Sequence, residues 1–112
     1  MKGGTPVVKF LVTARNKDSY FALAPEERLQ LMVEAYAYID KQRKAGKCKE
    51  VLHTADLKGS ASIWEVASSE EAARLMIENP MLGFQDIESQ PVIESDIVKK
   101  VLTAYVKKLA KK

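Results

Sequence analysis

Five side chains in this sequence could do chemistry together: Arg15, Tyr36, His53, Trp64 and Glu65. His53 is the one histidine of the chain. An imidazole titrates near neutrality and is the usual proton shuttle. It falls inside a strand-like run beside Val51 and Ala55, where the plainer role is that of a surface or packed strand residue. Glu65 lies between Trp64 and Val66, and a carboxylate in so apolar a run needs a partner or carries a raised pKa. It therefore reads as a general base or as a structural partner of Lys9 or Arg15. Arg15 closes an apolar strand. It could clamp a substrate carboxylate through two parallel hydrogen bonds, or simply end the strand in water. Tyr36 and Trp64 offer apolar walls, and Tyr36 adds a hydroxyl. As a set, these residues would place His53 and Glu65 as the catalytic acid and base. Arg15, Tyr36 and Trp64 would then contact the substrate, and the reaction would be a proton shift.

Other chemistries find little support. One histidine, one cysteine (Cys48) and scattered acids do not make a metal site. The glycines of "MKGG" precede the first strand instead of following one, so they make no phosphate-binding loop. No Ser-His-Asp or Cys-His arrangement is legible. Cys48 has no activating neighbour and reads as inert. A single cysteine also excludes an internal disulfide, which suits a reducing cytoplasm.

The elements that must position the five residues follow from periodicity. "PVVKFLVTAR" alternates as a strand, with Phe10, Val12 and Ala14 on one face and Lys9, Leu11, Thr13 and Arg15 on the other. A loop, "NKDSYFALAPEE", leads to a helix that starts at Pro25 and runs to about Lys44. Leu29, Met32, Val33, Tyr36 and Ile39 form its expected inward stripe. That phase turns Tyr36 inward and Tyr38 away. Gly46 offers a left-handed stop. Lys47 to Ala55 reads as a second strand and "SASIWEVA" as a third, with Ile63 and Glu65 opposite Trp64 and Val66. Ser68 and Glu71 have the spacing of a capping box at the start of a helix carrying Ala72, Leu75, Met76 and Ala73 inward. Asn79-Pro80 stops that helix. A fourth strand spans roughly Phe84 to Glu94, with Pro91 marking an edge or a bulge. A final helix, capped by Ser95 or Asp96, carries Ile97, Val101, Leu102, Tyr105 and Leu109 on one stripe.

The order β-α-β-β-α-β defines an α+β, ferredoxin-like sandwich with a four-stranded antiparallel sheet, plus a C-terminal helix. A chain of 112 residues makes one domain, with a core over residues 7–94 and the helix over 96–111. Helices cover one sheet face. Strands apolar on both faces require a second cover, from the C-terminal helix or from another subunit. The net charge of +3 is uneven. From Asp96 to Lys112, six lysines oppose one acid, giving +5 there and −2 elsewhere. Basic residues are not interleaved with aromatics over a folded face, so no nucleic-acid partner is expected. The N-terminus lacks the apolar core of a signal peptide, and no run approaches a membrane span.

The stretch from Trp64-Glu65-Val66 through Ser68, Pro80-Met81-Leu82 and Pro91-Val92, with Ala45-Gly46-Lys47 ending the first helix, resembles the muconolactone isomerase-like family of the dimeric α+β barrel superfamily. The likeness covers about Val7 to Glu94. It implies a homodimer or larger ring, chemistry without a cofactor, and a small-molecule pocket between sheet and helices. The family's isomerases move a proton in an unsaturated lactone. The stripe Leu29, Met32, Val33 and Tyr36 holds no acid–base pair to carry over, so a related substrate, or no catalysis, fits at least as well as muconolactone itself. Three functions fit: a cofactor-free isomerase acting on a small unsaturated lactone or acid, a non-catalytic dimeric ligand-binding or assembly module, and a cofactor-independent monooxygenase.

Overall fold

The computed structural model describes residues 7–111. Pro6, the glycines before it and Lys112 lie outside that range. The elements are β1 (Val8–Asn16), α1 (Asp18–Phe21), α2 (Pro25–Lys44), β2 (Cys48–His53), β3 (Gly59–Val66), α3 (Ser69–Ile77), β4 (Gln85–Pro91) and α4 (Ser95–Ala110), with a 3₁₀ turn at Leu82–Phe84. The sheet order is β2-β3-β1-β4, with every neighbouring pair antiparallel. This is the expected α+β, ferredoxin-like arrangement. Its two central strands, β1 and β3, are joined through the intervening helix and hairpin. Pro91 falls on the edge strand β4, opposite Phe10, where its missing N–H costs no ladder bond.

Local chemistry accounts for the boundaries. Pro25 opens α2, Glu26 and Glu27 occupy its first turn, and Lys41, Arg43 and Lys44 occupy its last. Gly46 follows at φ 78°, a left-handed geometry that a side chain would resist. At α3 the cap differs from expectation in one bond. Ser68 Oγ accepts the Glu71 N–H at 3.1 Å, but the Glu71 carboxylate reaches one residue further back, to the Ala67 N–H at 3.0 Å. Lys47 also holds it at 3.1 Å, which ties the start of α3 to the mouth of β2. The expected loop after β1 contains the short helix α1, which buries Tyr20. The cap of α4 is Glu94, without a side-chain capping bond, instead of Ser95 or Asp96.

Two clusters make the core on the helix-covered face. Cys48, Trp64, Val66 and Leu75 form one; Tyr20, Ala35 and Met81 form the other. Burying a side chain such as Val66 or Leu75 contributes roughly 1.5–3 kcal/mol. The expected phase of α2 needs correction. Leu29 and Val33 are largely exposed, while Ala35 and Gln42 are buried. The inward line is Met32, Ala35, Ile39 and Gln42. Tyr38, not Tyr36, is the more buried tyrosine; its hydroxyl donates to the Leu75 carbonyl. Burial pushes the Tyr38 phenol up to about 12. Among the described residues, no helix is long and apolar enough to cross a membrane.

Candidate functional site

A cavity of about 100 Å³ lies between the sheet and helices α2 and α3. Strand alternation decides who enters it. Phe10 and Val12 of β1, Ser62, Trp64 and Val66 of β3 and Ile87 of β4 all share the cavity side. Met32, Ala35 and Ile39 of α2, with Leu75 and Met76 of α3, form the opposite wall. Thioethers such as Met32 and Met76 fill irregular space and adapt to a guest.

Strand β2 reaches the cavity by a device. Cys48 pairs with Trp64, yet Glu50 pairs with the next residue, Ile63, so Lys49 is an extra residue in a bulge. A bulge shifts the alternation by one. Beyond it, Val51 and His53 turn toward the cavity side, with Cys48, while Glu50 and Leu52 turn away. Without the bulge, Val51 and His53 would point out of the opposite face.

His53 therefore stands at the mouth, across from Tyr36 on α2. The Tyr36 hydroxyl and His53 Nε2 are 2.9 Å apart, with ring centroids 5.4 Å apart. Both residues are exposed at the rim, so water or a ligand reaches them directly. Further in, the Trp64 indole N–H donates to Ser62 Oγ at 2.8 Å, and Ser62 is itself buried. The Gln85 amide donates to Asn16 Oδ1 at 2.9 Å, and Asn79 Oδ1 accepts the Met81 N–H at 2.9 Å. Ser60, Asn79 and Gln85 thus add neutral polar atoms to the lining. Among the described residues, no carboxylate, lysine or arginine lines the cavity.

The structure separates the five candidates. His53, Tyr36 and Trp64 come together at the cavity. Glu65 and Arg15 do not: odd-numbered positions of β1 and β3 point to the other side of the sheet. The pocket expected to hold all five is corrected on this point. Glu65 Oε2 is 3.6 Å from Lys9 Nζ, and Lys9 also reaches Glu94 at 2.8 Å. The hydrogen bond that Lys9 donates to Glu94 and the two nearby carboxylates raise the Lys9 pKa, and Lys9 in turn lowers that of Glu94. Arg15 Nη2 is 3.7 Å from Asp56 on the hairpin turn. Glu65 and Arg15 are thus each held in an ion pair, as the structural reading of Glu65 expected. Cys48 is buried, and burial pushes its thiol pKa up, which suits an inert role. Ser60, Ser62, Asn79 and Gln85 escaped the sequence reading. Ser60 and Ser62 share the parity of Trp64, and that signal could have found them.

No protein-family profile matches the chain, and no curated protein matches it. Among solved structures, the chain resembles 5-chloro-2-hydroxyhydroquinone dehydrochlorinase (TftG) from Burkholderia phenoliruptrix AC1100, solved in complex with 2,5-dihydroxybenzoquinone. The TM-score is 0.65 at 16% identity, over 79% of this chain and 96% of that one. At that identity the likeness speaks to the fold alone: a shared α+β scaffold over nearly the whole of the smaller protein.

Proposed function

We propose that the chain is a small cofactor-free enzyme of the muconolactone isomerase-like kind, working as a homodimer, that shifts a proton within a small unsaturated lactone or acid. The observation that carries the reading is the Tyr36–His53 hydrogen bond at the rim of an apolar cavity free of charged side chains. In the neutral imidazole one ring nitrogen accepts and the other donates. His53 takes a proton from a substrate carbon next to a carbonyl. The electron pair passes into the conjugated system, and the same proton returns at the far carbon. Nothing is oxidised or reduced. Tyr36 orients the imidazole and donates its hydroxyl hydrogen to the oxygen that gains charge. Trp64 and the methionines hold the ring, and Asn79 and Gln85 offer neutral hydrogen bonds to its oxygens. Glu65 and Arg15 are assigned to the ion pairs behind the sheet.

The test follows turnover of muconolactone and of related unsaturated lactones. His53→Ala or Tyr36→Phe should lower kcat by about 10²–10⁴-fold for the former and less for the latter. Full activity in both variants would overturn the assignment.

A second reading draws on the cavity's size. About 100 Å³ is small beside the roughly 300–1,000 Å³ of ordinary ligand sites, which favours a module whose pocket its own side chains largely fill. Inertness toward every lactone, together with saturable ligand binding in the cavity, would select it. Oxygen uptake with quinol-like compounds would instead select a monooxygenase.

A further inference from the structure

Helix α4 buries none of its residues. Ile97, Val101, Leu102, Tyr105, Val106 and Leu109 are each between 50 and 64% exposed. At about 100° per residue these positions span roughly half of the helix circumference, wider than the ~100° stripe of an ordinary surface helix. Lys99, Lys100 and Lys107 lie on the other half with Asp96 and Thr103, and all five are exposed. Lys100 and Lys107 stand nearly opposite the middle of the apolar arc. Lys108 falls just inside one edge of that arc, where a long stem lets the ammonium reach water. One half of α4 is thus apolar, and the other is basic with a single acid.

Helix α4 is also an appendage to the scaffold. The sequence resemblance ends at about Glu94, and the structural likeness to TftG takes in 96% of that chain but 79% of this one. Only Val92, Ile93 and Glu94 separate β4 from α4. The Val92 N–H donates to the Lys9 carbonyl at 2.9 Å, and Glu94 accepts from Lys9 Nζ at 2.8 Å. The root of the arm is therefore fixed to the sheet, and the arm draws the molecule out to 66 × 32 × 20 Å. The positive charge travels with it: +5 from Asp96 onward against −2 in the remainder. A 16-residue helix is about 24 Å long, short of the ~30 Å hydrocarbon core of a bilayer. Such a helix can lie on a membrane but cannot span one.

The placement of the lysines selects the occupant. A protein face that covers the apolar half leaves Lys100 and Lys107 on the far side, in water, where they contribute nothing to the contact. A lipid surface meets both halves at once. An in-plane helix sinks its apolar half to the acyl boundary and keeps its basic half among the headgroups. Anionic headgroups there attract each lysine near the surface. We propose that α4 is a membrane-surface anchor: it lies in the plane of an anionic bilayer, with its apolar half toward the acyl chains and its lysines among the headgroups, and holds the cavity-bearing domain beside the membrane. The inference is independent of any catalytic role.

Co-sedimentation of the full chain with vesicles tests it. The parent chain should sediment with vesicles of equal parts phosphatidylglycerol and phosphatidylcholine, and bind phosphatidylcholine alone about tenfold less tightly or worse. Added salt should weaken the anionic binding. Val101→Asp/Tyr105→Asp should lower it about tenfold or more, and replacing Lys99, Lys100, Lys107 and Lys108 by Glu about 100-fold or more. Both variants should keep the parent's urea midpoint, because α4 buries nothing against the domain. Depth is read by moving a fluorophore: on anionic vesicles the emission of Tyr105→Trp should shift to the blue, and that of Thr103→Trp, on the basic half, should not. A parent chain that stays in the supernatant, whether single or paired with a second copy through α4, would overturn the proposal. So would equal binding to both vesicle types, binding indifferent to Val101→Asp/Tyr105→Asp, or equal shifts at positions 103 and 105.

Discussion

The two faces of the sheet use the same strands for opposite ends. On the helix side, Phe10 pairs with Trp64 and Val12 with Ser62, and the resulting surface is apolar, uncharged and hollow at its centre. On the other side, one residue along each strand, Lys9 pairs with Glu65 and Leu11 with Ile63. There the charges are matched across the strands and linked onward to Glu94 and Asp56. The difference teaches where a reactive group is useful. A charged side chain already held by a neighbouring ion is occupied, whereas His53 and Tyr36 meet each other at an open rim, 2.9 Å apart. The bulge at Lys49 places His53 on the cavity side. In this small domain, one inserted residue decides which face owns the one imidazole.

The comparison can be broken at several points. The largest effect should come from His53→Ala, a loss of about 10²–10⁴-fold in kcat on a substrate lactone, set beside near-parental turnover for Glu65→Gln; steady-state kinetics on the two variants checks it. Next come the sequence neighbours Trp64 and Glu65. Trp64→Ala, which opens the core, should cost about 3–5 kcal/mol, while Glu65→Gln should shift the urea midpoint only slightly, since the pair it breaks is partly in solvent. Gly59→Ala should rank below Trp64→Ala but be clear in the same experiment. A Cβ there would lie 2.6 Å from the Ala14 carbonyl oxygen, so β1 and β3 must part.

The smallest effect is in acid. The Ala67 N–H, then Lys47, hold the Glu71 carboxyl below its usual 4.5. A carboxylate with a lowered folded pKa contributes stability that is whole above the unfolded value and is lost as pH falls through the folded one. Urea midpoints measured from pH 6 downward should therefore fall below about pH 4.5, and Glu71→Gln should flatten that limb without altering stability trends above it.

Most of the scaffold was legible because strand chemistry has a period of two that leaves little choice. Trp64 and Val66 against Ile63 and Glu65, and Phe10 against Lys9, sorted themselves by type. The phase of α2 was not legible for a physical reason. Leu29, Val33 and Tyr36 repeat at helical spacing as well as Met32, Ala35 and Ile39 do, and the stripe that is buried includes a small residue and a glutamine. Close approach to the sheet selects Ala35 over larger side chains, and hydropathy gives that no weight. The site was half legible. His53, Tyr36 and Trp64 could be picked by residue type, and their company could not, because the Tyr36–His53 contact joins residues 17 apart through the packing of a helix on an edge strand. Arg15 and Glu65 were chosen for chemistry alone, although their parity already assigned them to the other face.

The division of the sheet into a cavity face and a charge-paired face meets its most direct test in Trp64, the one tryptophan, which lines the cavity. Its fluorescence can be followed during titration with muconolactone in the parent chain, in Tyr36→Phe and His53→Ala, and in Arg15→Ala and Glu65→Gln. The account expects saturable quenching in the parent, weakened by the first pair of substitutions and unchanged by the second. Quenching that survives in Tyr36→Phe and His53→Ala but is lost in Arg15→Ala or Glu65→Gln would contradict it.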